Sequence, residues 1–358
     1  MSALCLVAGG TGGHIFPAIS FGRWVQEHHE AVRVSFICGS RSLEREIYFS
    51  QGVEPVVLPI SGSPFGVPDF SQKMRRWGEM GRSLGLFRRH VRSEVPDCCV
   101  LFGGYLSFIP LLVSAFSRIP VVVHEQNSVA GKVTRLAAKM GKTVASGWSE
   151  CLPLAPESYR TTGVPVRLVV PVDRGRAWQA MGLAGSPPDR KMIGILGGSL
   201  MSEPLIQLLR YMARDEEMRQ YLFLVLGEKP ADEEETDNLL YLGRQWNMAN
   251  LYSLLHMAIT RGGASTLFEL AAWGIPSVVV PWPQASDNHQ ENNARLFMRE
   301  NGGALWNEGD STELLKKKVL GVIQSTPPRT RRRTGEDESE RLWRLISSHI
   351  GRERTERE

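Results

Sequence analysis

The stretch Leu6-Val7-Ala8-Gly9-Gly10-Thr11-Gly12-Gly13-His14-Ile15-Phe16-Pro17 decides how the chain is read. An apolar run of strand length stops at two glycines, and a helix-like pattern begins after two more. Glycine lets the main chain turn sharply and approach a ligand closely. The helix start that follows offers N–H groups that lack intrahelical partners, which suits an anion. The familiar phosphate loops do not fit. GxGxxG fails because Ile15 stands where the last glycine belongs, and a P-loop ending at Gly141–Thr143 fails because Leu136 stands where its first glycine belongs. His14 adds chemistry, since an ordinary imidazole titrates near pH ~6.5 and exchanges a proton close to neutrality.

Working outward, short apolar runs alternate with amphipathic segments. Ala3–Ala8, Val32–Cys38, Pro55–Leu58, Cys98–Phe102, Pro120–His124 and Thr143–Ser146 read as buried strands with helices between them. The beat restarts at Lys191–Leu196, followed by Gly197, and continues through Tyr221–Leu226, Leu239–Leu242, Met257–Thr260, Ser277–Pro281 and Ala304–Trp306. Two strand–glycine–helix openings predict two similar α/β domains, each with a parallel sheet covered on both faces. The expected division is 1–163 and 164–337, with a join near Gly163-Val164-Pro165-Val166-Arg167. A late helix is expected over 338–351, with Leu342, Trp343, Leu345, Ile346 and Ile350 on one face.

Composition is that of a globular enzyme: 358 residues, 42% hydrophobic, 22% charged, net charge +4. That charge does not argue for nucleic acid. The five cysteines show no metal-ligand spacing and read as buried thiols in a reducing compartment. The N-terminus reads as neither a signal peptide nor a membrane span. No D-x-D is present, so a metal is not expected, and no cofactor is implied.

Open α/β sheets bind ligands at the carboxyl edge of their strands. Polar loops converge there. Gly103-Gly104-Tyr105-Leu106-Ser107 is a second glycine turn, and His124-Glu125-Gln126-Asn127 follows an apolar strand. Helix capping is the plainer alternative for Glu125 and Asn127. In the second half, Arg261-Gly262-Gly263-Ala264-Ser265-Thr266 opens a helix with small residues and hydroxyls, as a diphosphate site requires. Glu269, a turn beyond Thr266, suits a ribose diol or a capping box. The amide-rich Pro281–Asn293 suits sugar hydroxyls.

Together, "GGTGGH", "FGGYLSFIP", "HEQN", "GVPVR", "LGGS" and "RGGASTLFELAAWGIPSVVVPWP" resemble the MurG family in identity and order across both halves. The resemblance implies a GT-B-type fold: two Rossmann-like domains with parallel sheets facing across a cleft, and a C-terminal helix packing back on the first domain. It implies inverting transfer of GlcNAc from UDP-GlcNAc to the C4 hydroxyl of MurNAc in lipid I, giving lipid II. His14 and Glu125 are the candidate bases, and the sequence leaves their order open. The resemblance carries Thr11, Gly12, Gly13, Tyr105, Ser107 and Asn127 to the acceptor side. It carries Arg167, Ser199, Thr266, Glu269, Gln290 and Asn293 to the donor, with Thr11, Gly12, Gly13 and Asn127 shared. Met201 departs from the family, which usually has glycine there, and His289 stands where the family often has glutamine.

The acceptor is a membrane lipid, so a surface for anionic lipids is expected on the inner face of the bacterial cell membrane. Phe65, Arg75, Arg76, Trp77, Leu86 and Phe87 are the candidates, within a segment rich in arginine and aromatic residues. Other cell-wall synthesis proteins are expected partners, and nucleic acid is not. The competing functions are another nucleotide-sugar transferase and a non-catalytic UDP-sugar-binding module.

Overall fold

The computed structural model describes residues 2–63, 69–197, 203–230, 236–325 and 336–357, and the side chains of these except 203–206, 336 and 351–357. Phe65, Ser199 and Met201 therefore lie outside the described residues. The chain forms two compact units, Met1–Arg167 with Gly335–Glu358, and Leu168–Thr334.

In the first unit, strands β1 (Ser2–Val7), β2 (Val32–Cys38), β3 (Val56–Val57), β4 (Cys98–Leu101), β5 (Val121–Glu125), β6 (Thr143–Ser146) and β7 (Arg160–Thr161) form one sheet in the order 3-2-1-4-5-6-7. Every pairing is parallel. The helices are α1 (Gly12–His28), α2 (Ser42–Ser50), α3 (Phe70–Glu94), α4 (Phe108–Phe116) and α5 (Lys132–Lys139). Strand β1 feeds two cores because successive side chains point to opposite faces. Cys5 and Val7 join Met80, Phe87 and Val91 of α3 and Ile109 of α4. Leu6 points to α1, where Gly22 lets the helix come close: a Cβ there would lie 2.9 Å from Leu6 and 2.4 Å from Phe36.

The second unit repeats the plan. Strands β8 (Met192–Leu196), β9 (Leu222–Val225), β10 (Leu239–Tyr241), β11 (Met257–Thr260), β12 (Ser277–Val279) and β13 (Ala304–Leu305) lie in the order 10-9-8-11-12-13, all parallel. Helices α6 (Arg174–Ala180), α7 (Glu203–Arg214), α8 (Met248–Leu254), α9 (Ala264–Trp273), α10 (His289–Asn301) and α11 (Thr312–Ser325) cover it. Ile193 and Ile195 enter one core, and Met192 and Leu196 enter the other.

The last helix, α12 (Glu336–Arg357), belongs to the first unit and packs on α1. Leu342 and Ile346 are fully buried, and the Trp343 ring stacks on His29 at 4.2 Å. Each strand expected from the apolar runs is present. The short β7 was not expected, because its two exposed residues carry no apolar pattern. All five cysteines are free and buried. Among the described residues, no helix is long and apolar enough to cross a membrane, and no group of His, Cys, Asp or Glu could hold a metal ion.

Candidate functional site

Each sheet reverses its strand order once beside its first strand, between β1 and β4 and between β8 and β11. Loops diverge at such a point and leave room for a ligand at the carboxyl edge. The first-unit loops there are Ala8–Thr11, Phe102–Gly104 and Gln126–Gly131.

Thr11 is the N-cap of α1, and its main-chain oxygen accepts from the N–H groups of His14 at 3.1 Å and Ile15 at 3.3 Å. No side chain caps this helix start, and its first turn holds no acidic residue. Gly12 and Gly13 form that turn, which leaves positive dipole at the loop. The His14 imidazole lies against the second glycine turn. Gly103 and Gly104 have φ of +80° and +75°, where a side chain is strained, and their would-be Cβ atoms stand 3.4 and 3.5 Å from the ring. The glycines therefore supply the left-handed turn that carries the chain past the imidazole. Arg167 belongs to this corner, with its guanidinium 4.4 Å from the centre of the Phe16 ring.

A chain of hydrogen bonds runs inward from His14. Its Nδ1 is 2.7 Å from Gln126 Oε1. Gln126 Nε2 donates to His124 Nδ1 and to the His124 main-chain oxygen, both at 2.9 Å. His124 Nε2 reaches the Gly163 main-chain oxygen at 2.8 Å. Burial pushes the His124 imidazole down to about 4, against the Gly163 hydrogen bond and with a smaller push from the charge of His14. His124 is therefore neutral near pH 7.

Glu125 points elsewhere. It is buried, and its carboxylate accepts from four donors of its own loop and α5. These are Asn127 N–H at 3.2 Å, Asn127 Nδ2 at 3.3 Å, Gly131 N–H at 2.9 Å and Thr134 Oγ1 at 2.6 Å. The carboxylate ties its own loop to the start of α5 and holds Asn127. Burial, with the Glu125 charge, pushes the Cys151 thiol up to about 12, which leaves it inert.

Two of the acceptor-side residues are engaged within the first unit. Ser107 is fully buried, and its Oγ donates to Gly103 O at 2.6 Å, so it braces the turn. The Tyr105 hydroxyl donates to Glu44. Burial first, then that bond, push the phenol above its ordinary range, and it remains a donor. Sequence reading missed Glu44. Fully buried on α2, it also accepts from Gly10 N–H at 2.8 Å and Gly39 N–H at 2.7 Å, tying three strand ends together. No local signal marks it, because its partners lie on three other loops.

In the second unit, α9 starts at Gly262-Gly263 with no side-chain cap and no acidic residue in its first turn, and half-buried Thr266 sits in that turn. Glu269 is 7% exposed, and the Tyr252 hydroxyl donates to its Oε2 at 2.7 Å. Tyr252, on α8, was also missed. Gln290 Oε1 accepts from Gly262 N–H at 3.1 Å and Trp282 N–H at 3.0 Å. Asn293 is fully buried and donates to Gly262 O at 2.9 Å. Both amides clamp Gly262, where a Cβ would lie 2.3 Å from Gln290 O. Arg261, 6% exposed, pairs with Glu308 at 2.5 Å and holds the same strand end. His289 Nδ1 donates to Ser286 O at 2.7 Å beside the left-handed Asp287 and Asn288.

The membrane candidates divide. Met80, Ser83, Phe87 and Val91 form the buried stripe of α3, so Phe87 is a core residue. Burying its ring stabilises the fold by about 2 kcal/mol, which a bilayer would have to offset. Arg76 is held by a 2.5 Å bond from Nη1 to Ser63 O. Arg75 is exposed and paired with Glu79 at 3.4 Å. Trp77 and Leu86 are both exposed but lie on opposite sides of the helix.

Two Rossmann-like units, one with an imidazole set in glycine turns and one with a small-residue helix start beside a buried carboxylate, define a glycosyltransferase of GT-B type. Residues 4–146 match the glycosyltransferase family 28 N-terminal domain, and residues 192–341 match its C-terminal domain. A protein of Ectopseudomonas mendocina named UDP-N-acetylglucosamine--N-acetylmuramyl-(pentapeptide) pyrophosphoryl-undecaprenol N-acetylglucosamine transferase is 33% identical over 313 residues, covering 84% of this chain and 83% of that one. The chain belongs to this family, the MurG family. A Carboxydothermus hydrogenoformans protein of the same name is 27% identical over 332 residues, covering 90% and 89%. Among solved structures, MurG of Acinetobacter baumannii aligns over 98% of this chain and 99% of its own, at 21% identity and a TM-score of 0.63. A putative UDP-N-acetylglucosamine 2-epimerase of Listeria monocytogenes covers 98% and 97% at 13% identity and a TM-score of 0.69. These two likenesses show the fold.

Proposed function

We propose that the chain transfers GlcNAc from UDP-GlcNAc to the C4 hydroxyl of MurNAc in undecaprenyl-pyrophosphoryl-MurNAc-pentapeptide, forming lipid II for the cell wall. The observation that carries this reading is His14, held between two glycine turns at the reversal point of the first sheet and bonded through Nδ1. His14 is the base. Its Nε2 takes the proton of the acceptor hydroxyl while that oxygen forms a bond to C1 of GlcNAc. The bond from C1 to the diphosphate oxygen breaks, and UDP leaves from the opposite face. Glu125 shapes the loop that carries Asn127, since its oxygens already serve four donors. The open start of α9, with Thr266, meets the diphosphate, and Arg167 adds charge. Glu269, steadied by Tyr252, accepts from the ribose hydroxyls.

The acceptor lipid reaches the protein at a membrane. Phe70, Met74, Trp77 and Leu84 are exposed at helical spacing along one side of α3, at 75, 54, 43 and 41%. Exposed Arg82, Arg88, Arg89 and Arg92 share the helix. Phe116, 87% exposed, ends α4, which packs against α3. This is the surface we assign to anionic lipids on the inner face of the cell membrane.

The test is transfer of labelled GlcNAc from UDP-GlcNAc to a soluble lipid I analogue, with and without EDTA. Transfer in both conditions is expected. Binding of UDP-GlcNAc with no transfer would favour the binding-module reading. For the surface, Trp77→Ser with Met74→Ser is expected to lower co-sedimentation with anionic vesicles, and unchanged sedimentation would remove the assignment.

A further inference from the structure

We infer that Gln126 and His124 act as positioning residues that set the tautomer of His14, leaving its lone pair on Nε2. This rests on the reading of His14 as the base. The argument starts from groups whose roles are fixed. A main-chain carbonyl oxygen only accepts. The Gly163 oxygen therefore requires a proton on His124 Nε2, 2.8 Å away. The buried His124 is neutral, so its Nδ1 holds a lone pair. Gln126 Nε2 lies 2.9 Å from that lone pair and 2.9 Å from the His124 main-chain oxygen. Both neighbours accept, so the amide must turn its NH2 toward His124. That removes the usual ambiguity between amide oxygen and nitrogen. Gln126 Oε1 then faces His14 Nδ1 at 2.7 Å, and an amide oxygen only accepts. His14 must donate from Nδ1.

The far end of the relay is also pinned. Gly163 has a φ of +80°, and a Cβ there would lie 2.5 Å from Glu338 Cγ on α12. Arg341 Nε donates to Thr162 O at 2.9 Å, and Thr162 Oγ1 donates to Gly163 O at 3.0 Å. The Gly163 carbonyl is thus fixed by the last helix and the turn before it. An isolated imidazole prefers its proton on Nε2, the opposite arrangement. The relay holds the ring in the minor form, which presents Nε2 as the acceptor.

The experiment reads the tautomer directly. Protein labelled with 15N-histidine is examined by long-range 1H–15N correlation, with His14→Gln and His124→Gln giving the assignments. Wild-type His14 is expected to show a protonated Nδ1 and bare Nε2, and His124 the reverse. In Gln126→Leu, His14 moves toward the Nε2–H form. There kcat falls about tenfold, a fraction of the ~10²–10⁴-fold that acid–base catalysis supplies, while the KM for UDP-GlcNAc stays within about twofold. In Gln126→Glu, a carboxylate facing His14 moves the acid limb of the kcat profile to higher pH. A wild-type His14 protonated on Nε2 overturns the proposal, and this holds even if Gln126→Leu does not fold. So does a folded Gln126→Leu protein with unchanged kcat and pH profile. If His14→Ala transfers at the wild-type rate while the wild-type spectrum shows the relay, the base reading falls instead. The two failures are separate.

Discussion

The two reversal points share a plan and differ in what fills them. In the first unit the loops are tied by side chains that titrate: Glu44 under the Gly10 turn, Glu125 under α5, and His14 and His124 joined through Gln126. In the second unit two neutral amides, Gln290 and Asn293, clamp the main chain of Gly262. The Glu269 carboxylate is steadied there by a tyrosine, and Glu308 is neutralised by Arg261. Neutral clamps keep a loop's shape across pH, which suits recognition. Linked imidazoles hold and direct a proton, which suits chemistry. On the function proposed above, the first unit would handle the proton and the second the nucleotide.

The comparison breaks most visibly at His14. His14→Ala should lower kcat by about 10²–10⁴-fold and leave UDP-GlcNAc affinity within about twofold, measured by steady-state kinetics beside calorimetry. A matching loss of donor affinity would erase the division of labour. Glu44→Ala comes next, since it strands the Gly10 and Gly39 N–H groups and the Tyr105 hydroxyl in the interior. The first unit should lose about 3 kcal/mol of stability by denaturant unfolding, at about 1–3 kcal/mol for an unsatisfied buried group. An equally stable variant would show that these loops do not depend on the carboxylate.

His124 sharpens the contrast through pH. Its folded-state value of about 4 lies below its ordinary 6.5. Between those values the unfolded chain binds the extra proton, so the stability is present above about 6.5 and lost as pH falls toward 4. The full loss is about 3 kcal/mol by linkage. Unfolding midpoints between pH 7 and 4 should therefore slope less in His124→Gln than in wild type. The smallest effects belong to the second unit. Glu269→Gln should weaken UDP-GlcNAc binding about tenfold, the scale of a hydrogen bond to a charged group, with kcat little changed. Tyr252→Phe should weaken it about threefold, and a larger drop in Tyr252→Phe than in Glu269→Gln would reverse their roles.

Both the shared plan and its limits can be traced to range along the chain. The apolar runs, the glycine turns after β1, β4 and β11 and the division into two sheets were legible because each signal is local. A strand that is buried on both faces is written as a run, and glycine is written where the turn needs positive φ, after β1 and β4, or a close main-chain approach, at Gly262 after β11. The candidate histidine was legible for the same reason. Its neighbour Gln126 was only part of a motif, because the bond between them closes 112 positions of chain. Phe87 and Leu86 show how close the limit lies. They are adjacent in the same basic helix, yet one is core and the other exposed. Only packing of α3 against the sheet sets which stripe turns inward.

By itself the sequence determined the two α/β beats, the places where the chain must turn and the residue types available at those turns. The tertiary structure decided which of those residues meet. It set Glu44 beneath Gly10 and Tyr105, turned Glu125 to its own helix, sealed Ser107 and Asn293 inside, and aligned Gly163, His124, Gln126 and His14 in one chain of hydrogen bonds. The physical reason is that propensity and turn chemistry act within a few residues. A buried polar atom, in contrast, is satisfied by whichever partner the packed strands bring within about 3 Å.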